Sequence, residues 1–424
     1  MVRPPDASKA GLCVRCKGSR MLCGKTQCPI ILKQQAIIPL KRISIKKDFE
    51  GASPPSFFVG RHSYPNVLIG PMINPMSIRS DSIKILDEPE LGWIDHRIED
   101  LVKFRTSLLR TSFRMNVNKI TNSRLLDTSQ EIIQSSRKVD TEVQLEKEPS
   151  FRMMYDSHSP PIGPSGTLKK IKVAENPIID RPVDKAVSDT DFKAVNAVNY
   201  LYGHNLTVTQ VMRILSAGLL GIQNNRKLVP TRWAITATDD TISKQLISKI
   251  KDYPQISQYF LFSGRHFDNH FQILLIPKEW SFEMLETWNP QSSFNPSSSP
   301  VIMDDYEFYQ GRKTYASNVT GAYYAARLGV AEYLNKIRKQ ATSIIFREVS
   351  SGYIVPLGVW VIRETVRKAL KIQPKVFSDI NSALKEIGIA FQVSLKHWIK
   401  NSKIIEQIKY QKTLFDYVER KKVY

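Results

Sequence analysis

All four cysteines of this 424-residue chain fall within sixteen residues, as Cys13-Val-Arg-Cys16 and Cys23-Gly-Lys-Thr-Gln-Cys28-Pro29. No other feature constrains the fold so tightly. A Cys-x-x-Cys turn presents two thiolates to one tetrahedral ion, and a second pair after a six-residue loop completes four sulfur ligands. The spacing predicts a structural zinc knuckle over residues 1–30, with Cys13, Cys16, Cys23 and Cys28 as ligands. Four sulfurs leave no open coordination position, which argues against catalysis at the metal. Disulfide pairing is the alternative, and it belongs to an oxidising compartment. Arg15, Lys17, Arg20 and Lys25 interleave with the ligands. They suit either a knuckle that touches DNA or one that staples the N-terminus to the body, and in both cases metal binding supplies folding energy.

The remainder has the composition of a globular protein, 42 % hydrophobic and 24 % charged, at a length that suggests two or three domains with their own cores. The longest nearly uncharged apolar stretch, Ile354 to Ile362, is far short of the roughly 20 residues that span a bilayer. The opening Met-Val-Arg-Pro-Pro-Asp carries no secretion pattern. These features predict a protein that stays inside the cell and has no membrane helix. Lys and Arg number 61 against 40 Asp and Glu, giving a formal charge of +21 and a pI near 9.7. That excess favours a polyanionic partner, nucleic acid first, against the simpler reading of a solvated basic surface.

The pattern along the chain predicts a mixed α/β fold with an α/β body over 31–290, a second α/β domain over 301–405 and a tail over 406–424. Short strands are expected near 57–60 and 66–69, around the Gly- and Pro-marked loop that holds Arg61 and His62. A helix is expected over 96–110. From Glu148 to Gly166 repeated Pro and Gly forbid regular structure, and Leu168 to Val173 resumes it. Val208, Val211, Met212 and Leu215 recur at helical spacing behind an Asn205 or Thr207 cap. Strands are expected at 232–237, 258–262 and 271–277, with a helix over 241–251 between the first two. After a loop at 289–300 come a helix near 318–340 and strands near 343–349 and 353–362. Two helices close the fold, the first capped by Ser378. The second runs from about Ser394 with Leu395, Trp398, Ile399, Ile405 and Ile408 inward and Lys396, Lys400 and Lys403 on another face. No internal repeat is visible.

No nucleotide-binding glycine loop, nucleophile elbow or kinase-type motif occurs. Arg61 and His62 in one loop, and Asp156 and His158 in the Pro-rich loop, are the side chains suited to acid–base or phosphate chemistry, and the same residues suit a solvated surface. His266 and His270 have metal-ligand spacing only on a helix, whereas the apolar run after them reads as strand. Asp239-Asp240 and Asp304-Asp305 offer magnesium ligands or, more simply, caps and turns.

Near the end, Gln411, Leu414, Phe415, Tyr417 and Val418 keep the spacing of a short peptide that docks on a DNA sliding clamp (PCNA). In such a peptide the Leu and aromatic side chains share one side of a tight turn and plug an apolar pocket, while the Gln amide hydrogen-bonds beside it. Val418 stands where the usual pattern has a second aromatic, so the plug is smaller. The alternative is the apolar face of a last helix folded onto the core. Together, the four-cysteine N-terminus, the stretch Phe57-Phe-Val-Gly-Arg-His-Ser-Tyr-Pro-Asn-Val-Leu-Ile-Gly-Pro71 and this box resemble the archaeal Nre family of DNA repair proteins. The resemblance implies a cytoplasmic, nucleoid-associated DNA-damage-response protein recruited to DNA through its C-terminal box, with the four cysteines as a zinc finger. It names no reaction. A metal-dependent nucleic-acid-processing enzyme and an RNA-binding zinc-ribbon protein are the alternatives.

Overall fold

The computed structural model describes residues 27–43, 45–76, 81–121, 123–151, 160–290 and 297–410, together with Cys16, Gly18, residues 20–22 and Asn295. The chain divides into two compact units. One comprises Gln27–Ile242 with Val355–Gly358; the other comprises Met1–Thr26, Ser243–Ile354 and Val359–Tyr424. Both are mixed α/β, as the sequence pattern predicts.

In the first unit, α1 (Pro29–Arg42) begins with proline at its first turn and buries Leu32, Ala36, Ile37 and Leu40. There follow β1 (Asp48–Ser53), β2 (Phe57–Val59), β3 (Asn66–Ile73), α2 (Ile98–Thr106), β4 (Leu109–Asn116), α3 (Arg124–Gln134), β5 (Val139–Leu145) and β6 (Ser165–Val173). Three helices, α4 (Arg181–Ser188), α5 (Ala194–Gly203) and α6 (Val208–Ser216), precede the long α7 (Thr231–Ile250), which leads out of this unit. The sheet order is β1-β5-β6-β4-β3-β2, antiparallel except for the parallel pair β4–β6.

The two outer strands of that order are halves of one bent strand, interrupted at Pro54-Pro55, where proline cannot donate to a ladder. Ala52 exchanges both backbone hydrogen bonds with Asn74, at 3.0 and 2.8 Å, and the Met72 amide donates to the Ser56 carbonyl at 3.0 Å. Pairing thus returns from β3 to β1, and the sheet closes into a small barrel. Gly51 sits at the closure, where a Cβ would lie 2.7 Å from the Asn74 carbonyl oxygen. Val67, Ile69, Phe113, Val143, Leu145 and Ile171 fill the interior at alternate strand positions. Helix α3, capped by the Ser123 hydroxyl, packs Leu126, Ile132 and Ile133 inward and lies against β3 and β6.

The second unit is built on β7 (Tyr259–His266), β8 (Asn269–Ile276), β9 (Ser281–Trp288), β10 (Val301–Glu307), β11 (Thr342–Val349) and β12 (Lys375–Phe377). Their order is β10-β9-β11-β8-β7-β12, with β9–β11 the parallel pair. Every residue of β11 is buried, the mark of a central strand covered on both faces. Helices α8 (Gly321–Ile337) and α9 (Trp360–Ala369) pack together on the sheet. Helices α10 (Ile380–Ala390), α11 (Leu395–Asn401) and α12 (Lys403–Tyr410) bury Leu384, Trp398 and Ile405 against Leu274, Ile344 and Phe346. No helix among the described residues is long and apolar enough to cross a membrane.

Five local expectations need correction. Residues 232–237 are the start of α7, because the buried stripe at Ala234, Thr238, Ile242, Leu246 and Ile250 has helical spacing but includes a polar residue that hides it from hydropathy. Residues 353–362 are a connection that turns into α9, since Pro356 and Gly358, at φ 105°, break the run. The expected helix 96–110 stops at Thr106, and β4 begins three residues later. Asp379 rather than Ser378 caps α10, accepting from the amides of Asn381 and Ser382 at 2.9 and 3.0 Å. The last expected helix is two, α11 and α12, divided at buried Ser402.

Candidate nucleic-acid and clamp interfaces

Cys16 and Cys28 are both buried. The backbone N–H of Leu22 pulls the Cys16 thiol below its ordinary range; burial opposes this, and the amides of Arg20, Gly18 and Met21 add to it. A turn that wraps several amides around one sulfur suits a thiolate ligand. Cys28 immediately precedes α1, and its carbonyl accepts from Leu32 at 3.0 Å. Cys13 and Cys23 lie outside the described residues, as do Arg15, Lys17 and Lys25; Arg20 is exposed. Among the described residues no group of three or more His, Cys, Asp or Glu is assembled to hold a metal ion.

The remaining chemical candidates separate. Arg61 and His62 are exposed on the loop between β2 and β3, while Asp156 and His158 lie outside the described residues. His266 and His270 do not share one strand. They flank a tight hairpin whose Phe267 and Asp268 have φ of 47° and 58°, and His270 Nε2 lies 3.5 Å from an Asp268 oxygen. Asp305 anchors a turn: its carboxylate accepts from the amides of Asn318 and Val319 at 2.9 and 2.7 Å and pairs with Arg312 at 3.0 Å. Burial and neighbouring Asp305 raise the Asp304 carboxyl above its usual range.

Two features escaped the sequence pattern. On the barrel, Tyr64 and Trp233 are 51 % and 47 % exposed, with ring centroids 5.3 Å apart. The Val59 amide donates to Thr231 Oγ1 at 2.9 Å, which fixes the start of α7 beside the loop that carries Tyr64. Elsewhere on the barrel, between β2 and β4, Arg110 lies over the Phe58 ring at 3.4 Å, and burial lowers its guanidinium to about 10. A strand reading of 232–237 could not have paired Trp233 with that loop.

The second feature anchors the last described helix, which leads to residue 410. Buried Glu283 accepts from the Lys403 amide at 2.6 Å and the Ile404 amide at 3.4 Å, and from the Ser402 hydroxyl, so a strand carboxylate caps α12. Tyr410, where α12 ends, is 81 % exposed; Gln411, Leu414, Phe415, Tyr417 and Val418 follow it, outside the described residues. Burial raises the Glu283 carboxyl from 4.5 to about 7 despite those three donors. A folded-state value above the unfolded one stabilises the protein fully at low pH, and that stability is lost as pH rises through the folded value. Denaturant titrations at several pH values should therefore show stability falling between about pH 4.5 and 7, with that component absent in Glu283→Gln. Equal slopes for the two proteins would remove Glu283 as the titrating group.

The archaeal Nre N-terminal family model matches residues 22–295, and the archaeal Nre C-terminal model matches residues 307–417. The chain belongs to the archaeal Nre family. It is 38 % identical over 406 residues to the DNA repair protein NreB of Archaeoglobus fulgidus, covering 96 % of this chain and 100 % of that one. It is 39 % identical to the DNA repair protein NreA of the same organism, over 91 % and 95 % of the two chains. NreA of Haloferax volcanii is 34 % identical, over 87 % and 88 %. No solved structure matches the chain. The Nre C-terminal match runs through Gln411, Leu414 and Tyr417, so those positions fall within the family domain.

Proposed function

We propose that this Nre protein is a DNA repair factor tethered to the sliding clamp by its C-terminal box, with the zinc knuckle and basic surface contacting DNA. The observation that carries the reading is the extent of the family match: the chain aligns nearly end to end with proteins named for DNA repair, and the C-terminal family domain runs as far as Tyr417, through all but the last position of the box. Gln411, Leu414, Phe415, Tyr417 and Val418 make the docking turn, on a stalk that Glu283 holds to the body. An excess of 61 basic over 40 acidic residues supplies the attraction to phosphate. The test is clamp binding with and without residues 411–424. Truncation should abolish it and leave the melting temperature unchanged; a lowered melting temperature would mean that the segment is instead a helix of the folded body.

Cys13, Cys16, Cys23 and Cys28 would hold one structural zinc ion, which pins the N-terminal turn and takes no part in chemistry. The amides around Cys16 suit a bound thiolate. Purified protein should contain about one zinc per chain, falling to trace levels in Cys16→Ser. Absence of zinc, with titratable free thiols unchanged by chelator, would contradict the site.

A further inference from the structure

Taken in chain order, the barrel has five strands: bent β1–β2 first, β3 second, β4 third, then helix α3, β5 fourth and β6 fifth. The first pairs with the second and the fourth, the second with the third, the fourth with the fifth, and the third with the fifth in parallel. This is the connectivity of the five-stranded Greek-key barrel known as the OB-fold. Such barrels bind oligonucleotides on the face of their second and third strands, beside the loop joining the first two. Those parts are here β3, β4 and the loop over residues 60–65.

The side chains at that corner suit unstacked bases. Tyr64 and Trp233 present two half-exposed rings, on which bases stack without regard to sequence. Leu68, 43 % exposed, faces Arg114 across the strand pair, and Arg114, Arg61 and Asn66 are exposed around it. Two rings next to cationic and apolar side chains match a single strand, whose base faces are open; a duplex keeps its base faces inside the stack.

We infer that the Tyr64–Trp233 corner of β3 and β4 is a binding site for single-stranded DNA. This rests on the reading that the protein works on DNA, and it adds where the strand lies and in what form.

The experiment is fluorescence anisotropy of the full-length protein with a labelled oligothymidylate about 20 nucleotides long, at a stated salt concentration of about 100 mM. Tyr64→Ala/Trp233→Ala should weaken binding by roughly tenfold to a hundredfold, while Tyr64→Phe retains it. Duplex of the same length should be affected little. Arg114→Glu provides a second variant should the double one melt early, with at least about tenfold loss expected. Unchanged affinity in both variants, equal losses on duplex, or tighter binding of the matching oligouridylate would overturn the site. Loss of oligothymidylate affinity in a protein that never binds the clamp would sink the tether and leave this site standing. Clamp binding with unaltered oligothymidylate affinity in the variants would do the reverse.

Discussion

Arg213→Ala is expected to cost about 3–5 kcal/mol of folding stability. Arg213, on α6, and Asp87 are both nearly buried, and Arg213 Nη2 lies 3.0 Å from an Asp87 oxygen. The same guanidinium donates to the Asp87 carbonyl, and to the Pro55 carbonyl at 3.4 Å, at the break between β1 and β2. Asp87 also accepts from Ser56 and from Arg105 at 2.8 Å. One planar fork thus holds the bend in the first barrel strand to α6 and to the segment between β3 and α2. Removing it leaves a buried carboxylate with fewer partners and orphans two carbonyls. Arg213→Lys should recover only part of the loss, because an ammonium cannot reproduce the fork. Urea unfolding of the two variants reads this directly, and a loss under about 1 kcal/mol for Arg213→Ala would show that the network is dispensable.

The second large effect concerns recruitment. A box that engages the clamp holds the body near the duplex at a high effective concentration, so clamp loaded on DNA should tighten apparent DNA binding by about 10²–10⁴ without any new DNA contact. Leu414→Ala/Tyr417→Ala should abolish the gain and leave clamp-free DNA binding as it was. Equal DNA affinity with and without loaded clamp would mean that the basic surface works alone. Under the proposed tether, the smaller Val418 side chain would lower the affinity of the box itself and place more weight on this multiplication.

Much of the mixed α/β order could be read before the structure, and the failures have identifiable causes. Strands such as β3, β7, β8 and β11 carry apolar runs between turn residues and are read directly. Helix α7 is obscured by polar Thr238 in its buried stripe and by buried Asp239 and Ser243 beside it. The split between α11 and α12 depends on Glu283, 119 residues from Ser402 in the chain, which no local window can see. Barrel closure is a further non-local fact, since it rests on Ala52 meeting Asn74. Of the candidate site residues, Arg61 and His62 are exposed on the loop between β2 and β3, and among the described residues no group of three or more His, Cys, Asp or Glu is assembled to hold a metal ion. The exposed Tyr64–Trp233 pair is invisible to a local sequence pattern because its two halves are distant in sequence and Trp233 sits on α7, whose polar buried positions hide its helical period.

Calorimetric titration of the full-length protein against the sliding clamp, beside Leu414→Ala/Tyr417→Ala with its melting temperature verified, decides whether the C-terminal box is a clamp ligand. A dissociation constant of roughly micromolar or tighter is expected for the native chain, and no measurable heat for the variant. Absence of binding by the native chain, or equal binding by both proteins, would contradict the tether.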